Sequence, residues 1–159
     1  MNDQLLYRLW GKTNEREKEY AEHHWNYHPA ICHMVDVAYV AETWLQLNPR
    51  LLDRFCQLAP DISREVLRQL LVFVVGLHDL GKLHRNFQAK SEKGWGKGYG
   101  TVPKKRPDNN GRGFDHGLAT ARIMREFFDN DEFPEWASWQ SVFDAVAAHH
   151  GTIYGKELK

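Results

Sequence analysis

Apolar side chains recur at steps of three and four residues over positions 30–45, which is the spacing of one face of an α-helix. Pro29 suits the first helical turn, because the backbone N–H that it lacks would have no partner there. Asn48 followed by Pro49 ends the pattern, and a shorter amphipathic stretch follows over 51–58. The pattern therefore predicts two consecutive helices.

The stretch 64–80 is ambiguous, because its apolar run Leu71–Val75 fits either a buried strand or a turn of a buried helix. No turn signal separates this run from the mixed residues before it, so the length of the stretch favours a helix. Asp61 is placed to cap this helix, which we expect to begin near Ser63 and to stop at Gly81.

The composition changes between Lys90 and Gly113, where glycines and prolines interrupt seven Lys or Arg residues and two acidic ones. This composition predicts a long, mobile, basic loop, which is either a functional lid or a disordered insertion. Its cations could attract a nucleic acid backbone, and Trp95 and Tyr99 could stack on bases. A solvated insertion without a function is the alternative.

Helical patterns return over 115–128 and 134–150, and Gly151 closes the second of them. Residues 1–27 are polar and interrupted, and we interpret them as an irregular lead-in. Five helical segments without a convincing strand predict an all-α bundle, and a length of 159 residues is typical of one domain, 1–159.

The charge and the hydropathy of the chain narrow the possible environments. Lys plus Arg and Asp plus Glu number 21 each, so any polyanion would need a local basic patch. The longest apolar run, Leu70–Leu77, is eight residues long and far below the ~18 of a spanning helix, and the N-terminus lacks the apolar core of a secretory signal. We therefore expect no membrane association and a cytoplasmic location. Cys32 and Cys56 form no CxxC pair, which argues against a disulfide scaffold or a thiolate zinc site.

The candidate chemistry lies in histidines and one aspartate near the ends of apolar helices. His78 and Asp79 follow the most apolar run directly, and a buried carboxylate must be protonated, paired or bound to a cation. Other predicted helices add four imidazoles, those of His33, His116, His149 and His150. Imidazoles with a carboxylate suit Fe, Mn, Co, Ni or Zn, whereas Mg prefers an oxygen shell and is less expected.

If Asp79 bridges two such metals, they would lie about 3.5–4 Å apart, an arrangement that favours phosphodiester hydrolysis. Lys82 lies one helical turn after Asp79 and could neutralise charge on the phosphate. The alternative is a plain ion pair between Asp79 and Lys82 at a helix end, with His149 and His150 favoured there by the helix dipole. The remaining histidines are interpreted as structural or solvent-facing: His23, His24, His28 and His84.

These residues lie in short motifs that resemble those of the HD superfamily of metal-dependent phosphohydrolases. Within that superfamily they look like the HD nuclease domain of the CRISPR-associated helicase-nuclease of type I systems. The segments that carry the resemblance are His33–Ala38, His78–Lys82, Phe87-Gln88, His116-Gly117 and Ala148–Gly151, with Trp10–Lys12 and Tyr27–Pro29 also fitting.

The resemblance implies an orthogonal α-helical bundle that holds one or two divalent transition metals and cuts single-stranded DNA. The implied partners are a superfamily 2 helicase, which feeds the strand, and the CRISPR RNA-guided surveillance complex. Matched motif by motif, the implied ligands of the first metal are His33, His78 and Asp79, and those of the second are Asp79, His116, His149 and His150. Lys82 matches a lysine that contacts the substrate or assists catalysis.

The resemblance also implies a further aspartate ligand for the first metal, from a helix downstream of the histidine pair. Asp144 precedes that pair and Glu157 follows it too closely, so neither fits. We therefore expect a bundle that is C-terminally incomplete and a chain without the helicase motor. Two alternatives remain open: an HD phosphohydrolase that acts on nucleotides or cyclic nucleotides, and a non-catalytic bundle that binds metal or a partner.

Overall fold

The computed structural model describes residues 3–13, 27–99, 107–128 and 136–151. Within these ranges the chain is mostly helical. In order, its elements are α1 Asp3–Leu6, β1 Trp10–Thr13, β2 Tyr27–Pro29, α2 Ala30–Leu47, α3 Pro49–Leu58, α4 Arg64–Gly76, a first 3₁₀ segment Leu77–Leu83, α5 Arg85–Gln88, α6 Glu92–Tyr99, α7 His116–Phe128, α8 Trp136–Ala147 and a second 3₁₀ segment Ala148–His150.

The helices predicted from hydrophobic spacing are confirmed as α2, α3, α4, α7 and α8. The ambiguous stretch is helical, because its apolar residues supply the centre of a bundle. The capping residue differs from the prediction: Ser63, not Asp61, caps α4, and its hydroxyl accepts a hydrogen bond from the Val66 N–H at 3.3 Å. Gly151 ends the second 3₁₀ segment at φ 87°, as a terminal glycine is expected to do.

The prediction that Gly81 stops α4 is wrong. The helix tightens at Leu77 and continues as the first 3₁₀ segment through Gly81 to Leu83, with Asp79 departing from helical geometry at φ −107° and ψ 18°. Gly81 is there because another helix passes close by: a Cβ on it would lie 2.0 Å from the backbone oxygen of His116. The glycine therefore permits close packing instead of terminating the helix.

The prediction of an irregular lead-in is wrong over Trp10–Thr13 and at Tyr27, while residues 14–26 lie outside the described part. Strands β1 and β2 pair antiparallel, with Trp10 opposite Pro29 and Thr13 opposite Tyr27, and the pairing is irregular next to Trp10. Strands of three and four residues are too short to show the alternation that a sequence pattern needs. Gly11 allows the ribbon to approach α2, because a Cβ there would lie 2.8 Å from the Cα of Ala30.

The predicted mobile loop is wrong over Glu92–Tyr99, which forms α6, while residues 100–106 lie outside the described part. Gly94 lets α6 rest on an indole, since a Cβ there would lie 2.2 Å from Cδ1 of Trp10. Trp95 is 8% exposed and stacks on Tyr99 with ring centroids 4.7 Å apart, so in this conformation it is not free to stack on a base.

The centre of the bundle lies where α4, α7 and α8 meet. Val74, Met124 and Phe143 form a buried cluster, flanked by partly buried side chains of the same helices and of the first 3₁₀ segment. Helix α2 packs on α4, and α7 packs along the first 3₁₀ segment. In its described residues, the chain is an all-α bundle of the HD type with a small two-stranded ribbon. In the described ranges, no helix has both the length and the apolar character required to cross a bilayer.

Candidate metal centre

The first 3₁₀ segment carries His78, Asp79 and Lys82 past the start of α7, where His116 lies. Close packing at Gly81 brings the two segments together, and Thr120 joins them by hydrogen bonds: its Oγ1 accepts from the Gly81 N–H at 2.8 Å and lies 2.9 Å from the His116 oxygen. Backbone contact between two segments that are far apart in the chain therefore brings these candidate ligands together.

The carboxylate of Asp79 lies at the centre of the cluster and is 1% exposed. Its Oδ2 is 3.1 Å from Nε2 of His33, 3.1 Å from Nε2 of His78 and 2.6 Å from Nζ of Lys82. Its Oδ1 is 3.3 Å from Nε2 of His116 and 3.4 Å from Nε2 of His149. The two oxygens thus face two different groups of imidazoles.

The protonation state of Asp79 is decided by two opposing effects. Burial raises the pKa of the carboxyl, while the contacts with His116, His78 and Lys82 lower that pKa by more. The pKa therefore lies well below the usual range of a carboxylic acid, and Asp79 is an anion at neutral pH. An ionised carboxylate in a buried site requires cations around it.

The orientation of two imidazoles follows from bonds to the backbone. Nδ1 of His78 lies 3.0 Å from the Val75 oxygen, and Nδ1 of His149 lies 3.1 Å from the Val146 oxygen. A carbonyl only accepts, so each Nδ1 carries a proton, and in the neutral ring Nε2 then presents a lone pair. That lone pair faces an oxygen of Asp79, an arrangement that needs a cation or an extra proton between the two atoms.

Burial favours the neutral rings. It is the main cause of the lowered pKa of His33, where Lys12 and Lys82 act in the same direction, and of the lowered pKa of His149. Neutral imidazole is also the form that binds metals. At neutral pH these two rings are therefore in the form that a metal would need.

Two further observations concern the second cluster, namely the ring nitrogens of His116 and His150 and the Oδ1 atom of Asp79. Nε2 of His150 and Nε2 of His116 face each other at 2.9 Å, a hydrogen-bond distance at which one of the two rings donates its N–H to the other. Oδ1 of Asp79 is buried and has no hydrogen-bond partner in the described part of the chain. The unpartnered carboxylate oxygen fits a cation held beside it.

Two clusters of potential metal ligands result, and Asp79 belongs to both. The first contains His33, His78 and Asp79, and the second contains Asp79, His116, His149 and His150. In each cluster the candidate ligand atoms lie within 4.8 Å of one another. The structure thus brings together the seven residues singled out by sequence, Lys82 included, and leaves their roles as ligands or catalysts as predictions.

The histidines interpreted from the sequence as structural or solvent-facing make contacts outside the two clusters, where the structure describes them. His28 forms an exposed ion pair with Asp36 at 2.8 Å. His84 caps α5 by accepting from the Asn86 N–H at 3.2 Å, and its ring stacks on Phe114. His23 and His24 lie outside the described residues.

Sequence reasoning missed the residues that support the cluster. The ring centroid of Phe87 lies 5.3 Å from the ring centroid of His116 and 5.8 Å from Nζ of Lys82, so this ring lies next to both side chains. Gln88 and Thr120 are fully buried and polar. The sequence points to Phe87 and Gln88 only through the family resemblance, whereas Thr120 carries a local signal, a hydroxyl among the small apolar residues of α7.

An apolar groove of about 1270 Å³ runs between α2, α3, α4 and α8 and reaches the cluster at His78 and His149. Its walls are mainly aliphatic, with Asp61 the only Asp, Glu, Lys or Arg among the described residues that line it. The groove therefore does not resemble a surface for a phosphate backbone, which would require cations. The imidazole cluster at its end is the chemically distinctive feature.

Comparison with known proteins finds one matching family and related sequences. The family described as "Cas3, HD domain" matches residues 10–159. The CRISPR-associated endonuclease/helicase Cas3 of Escherichia coli (strain K12) is 30% identical over 163 aligned positions, which cover 91% of this chain and 17% of that protein. The protein of the same name from Thermus thermophilus is 31% identical, with 84% of this chain and 14% of that protein covered.

The chain thus spans less than a fifth of either relative. No solved structure matches it significantly. The family match extends over nearly the whole chain and includes every residue of both imidazole clusters. The chain therefore belongs to the Cas3 HD-domain family.

Proposed function

We propose that this chain is a metal-dependent nuclease domain that hydrolyses phosphodiester bonds of single-stranded DNA in type I CRISPR interference. The observation that carries the proposal is the convergence of five imidazoles and one ammonium on the buried carboxylate of Asp79. Both relatives are named as endonuclease/helicase proteins, which supports nuclease chemistry and a helicase as partner. The proposed partner is a helicase of superfamily 2. The RNA-guided surveillance complex would deliver the DNA.

The proposed metals are one or two divalent transition ions. Imidazole and carboxylate donors suit Fe, Mn, Co, Ni or Zn better than Mg. When bound, such ions would lower the pKa of a water molecule and offset the charge of a phosphodiester. The proposed ligands are those of the two clusters: His33, His78, Asp79, His116, His149 and His150.

The chain's own groups prepare the site for this chemistry. The Val75 and Val146 carbonyls fix the rings of His78 and His149 with Nε2 directed at Asp79. Such bonds to the second ring nitrogen orient imidazole ligands and make them more basic. Asp79 remains ionised, because the surrounding cations and donors outweigh the cost of its burial.

Lys82 is the proposed electrostatic catalyst. Its ammonium lies 2.6 Å from Oδ2 of Asp79, and its side chain is only 11% exposed, so water screens the charge weakly. A cation held at this place is suited to stabilise negative charge that develops on a phosphate oxygen. His149 and His150 lie at the exposed edge of the second cluster, which gives a DNA strand a side from which to enter.

The direct test is cleavage of circular single-stranded DNA by the protein after removal of metals and reloading with Mn, Co or Ni. We expect cutting with each loaded sample, much weaker cutting with Mg, and none with a chelator present. A panel with linear DNA duplex, mononucleotides and cyclic nucleotides separates the nuclease from a small-molecule phosphohydrolase. A demonstrably metal-loaded protein that leaves circular DNA intact would contradict the proposal, and turnover of nucleotides alone would favour the alternative.

Lys82→Met tests the electrostatic role, because Met keeps the length of the side chain and removes its charge. We expect kcat for single-stranded DNA to fall about 10²-fold, the size of effect seen when one stabilising donor is lost, with cobalt stoichiometry unchanged. Lys82→Arg keeps a cation and should retain part of the rate. If Lys82→Met instead loses cobalt, Lys82 holds the ligands in place and is not an electrostatic catalyst.

A further inference from the structure

Fully buried polar side chains are rare in this bundle. In the described ranges, the buried polar or charged residues are Asp79, Gln88, Ser91 and Thr120. One of them is the central carboxylate, and two others, Gln88 and Thr120, each at 0% exposure, bond to the backbone of the 3₁₀ segment that carries it. Buried polar groups that are fully satisfied fix one arrangement of the parts that they join.

Thr120 bonds to both segments that supply ligands. Its Oγ1 accepts from the Gly81 N–H at 2.8 Å and donates toward one of two carbonyls, that of His116 at 2.9 Å or that of His78 at 3.3 Å. The single hydroxyl thus lies against the backbone of His78 and Gly81, on either side of Asp79, and against the backbone of His116 at the start of α7. Loss of this hydroxyl would remove a buried acceptor from the Gly81 N–H.

Gln88 bonds to the other end of the segment. Its Nε2 donates to the Lys82 oxygen at 2.7 Å and to the Trp10 oxygen at 2.8 Å, and its Oε1 accepts from the Trp10 N–H at 2.9 Å. The indole N–H of Trp10 donates in turn to the Gln88 oxygen at 3.1 Å. Every polar group of this side chain is therefore used to hold Lys82 against strand β1.

These bonds matter because a 3₁₀ helix has poorer hydrogen-bond geometry than an α-helix and rarely continues for seven residues unaided. We propose that Thr120 and Gln88 are positioning residues, a proposal that rests on the proposed metal centre. They hold the 3₁₀ segment so that Asp79 lies between both imidazole groups and Lys82 lies beside Asp79. Neither residue touches the reacting atoms. Each acts by fixing the backbone from which Asp79 and Lys82 project.

The test compares Thr120→Val, which keeps the shape and removes the hydroxyl, with Thr120→Ser, which keeps the hydroxyl. Thr43→Val is the matched control, since Thr43 makes the same bond to a carbonyl four residues earlier, that of Tyr39, at 2.9 Å on the exposed side of α2. Cobalt affinity and the visible spectrum of the cobalt-loaded protein are measured for each variant, together with melting of the metal-free protein.

We expect Thr120→Val to bind cobalt at least tenfold more weakly with an altered spectrum, Thr120→Ser to lie within about threefold of the parent, and Thr43→Val to match it. Gln88→Met should weaken cobalt binding in the same direction. A Thr120→Val protein that melts lower but binds cobalt with the parental affinity and spectrum would overturn the proposal, because Thr120 would then serve stability alone.

A measurement without metal separates this proposal from the proposed function. The ring resonances of His78 and His116 at fixed pH report on the position of Asp79, which lies 3.1 Å and 3.3 Å from them. We expect these resonances to shift in Thr120→Val and to stay in place in Thr120→Ser and Thr43→Val. Unshifted resonances in Thr120→Val would overturn the positioning role. If the parent protein binds no cobalt but Thr120→Val still shows the expected shifts, only the metal function is overturned.

Discussion

Asp79→Asn should abolish metal-dependent cleavage, lowering the rate by about 10³-fold or more. The substitution keeps the shape of the side chain and removes the charge that both imidazole clusters share, so each cluster loses its one carboxylate. A bound metal contributes several kcal/mol to the stabilisation of a phosphodiester transition state, and each 1.36 kcal/mol is a factor of ten in rate. The effect is measured as the rate of cleavage of circular single-stranded DNA.

The same variant should also lose its response to metal in the absence of DNA. At 100 times the dissociation constant, a bound ion stabilises the folded state by about 2.7 kcal/mol, which raises the melting temperature of a domain of this size by about 5–10 °C. We expect cobalt to produce such a rise in the parent and none in Asp79→Asn. Two cobalt ions bound by Asp79→Asn with the parental affinity would contradict the central place given to this carboxylate.

Asp53→Asn is the matched control. Asp53 is an exposed aspartate on α3 whose partner is Arg64, and pairs of that kind contribute about 0–1 kcal/mol. We expect this variant to cleave DNA and to respond to cobalt like the parent. The comparison separates removal of an aspartate as such from removal of the buried one.

Gly81→Ala should disrupt the bundle at its tightest contact. The added Cβ would lie 2.0 Å from the backbone oxygen of His116 and 2.8 Å from the backbone nitrogen of Thr120, and backbone atoms cannot rotate away as a side chain does. The 3₁₀ segment and α7 must therefore separate, which we expect to cost about 3 kcal/mol of unfolding free energy. Denaturant unfolding of the metal-free protein measures this loss.

The separation should affect the site as well as stability, because His116 and Asp79 approach each other across this same contact. We expect folded Gly81→Ala protein to bind less cobalt than the parent at equal concentration. Gly96→Ala is the control: nothing lies within 4 Å of a Cβ at that position in α6, so we expect unchanged or slightly higher stability. Equal unfolding free energies for the two variants would contradict the packing argument.

The main helices could be predicted from the sequence because each satisfies its own backbone. Helices α2, α3, α4, α7 and α8 follow from spacing, glycine and proline alone, since their hydrogen bonds link residues four apart. The β-ribbon and α6 could not be predicted in this way. The ribbon pairs residues across an intervening segment, and α6 contains glycines that act against a helix except where Trp10 packs on Gly94.

For the site, sequence alone determined the identity of the chemical groups. His78 next to Asp79, the pair His149-His150, and the single residues His33 and His116 could all be named as candidates. A carboxylate that follows a buried apolar run must be protonated, paired or bound to a cation, and imidazoles with a carboxylate suit a transition metal. Spacing along the chain could not show that they meet, since His33 and His150 are 117 positions apart.

Only the tertiary structure decided how these groups are arranged. It placed Asp79 between two sets of imidazoles, left Oδ1 without a hydrogen bond from the described residues, and assigned the supporting contacts to Thr120 and Gln88. The physical reason is that helix formation depends on neighbours within one turn, whereas a buried charge is stabilised by groups that packing brings from distant segments. The sequence thus determined the main helices and the types of candidate ligand, and the packing of Gly81 against α7 determined where those candidates meet.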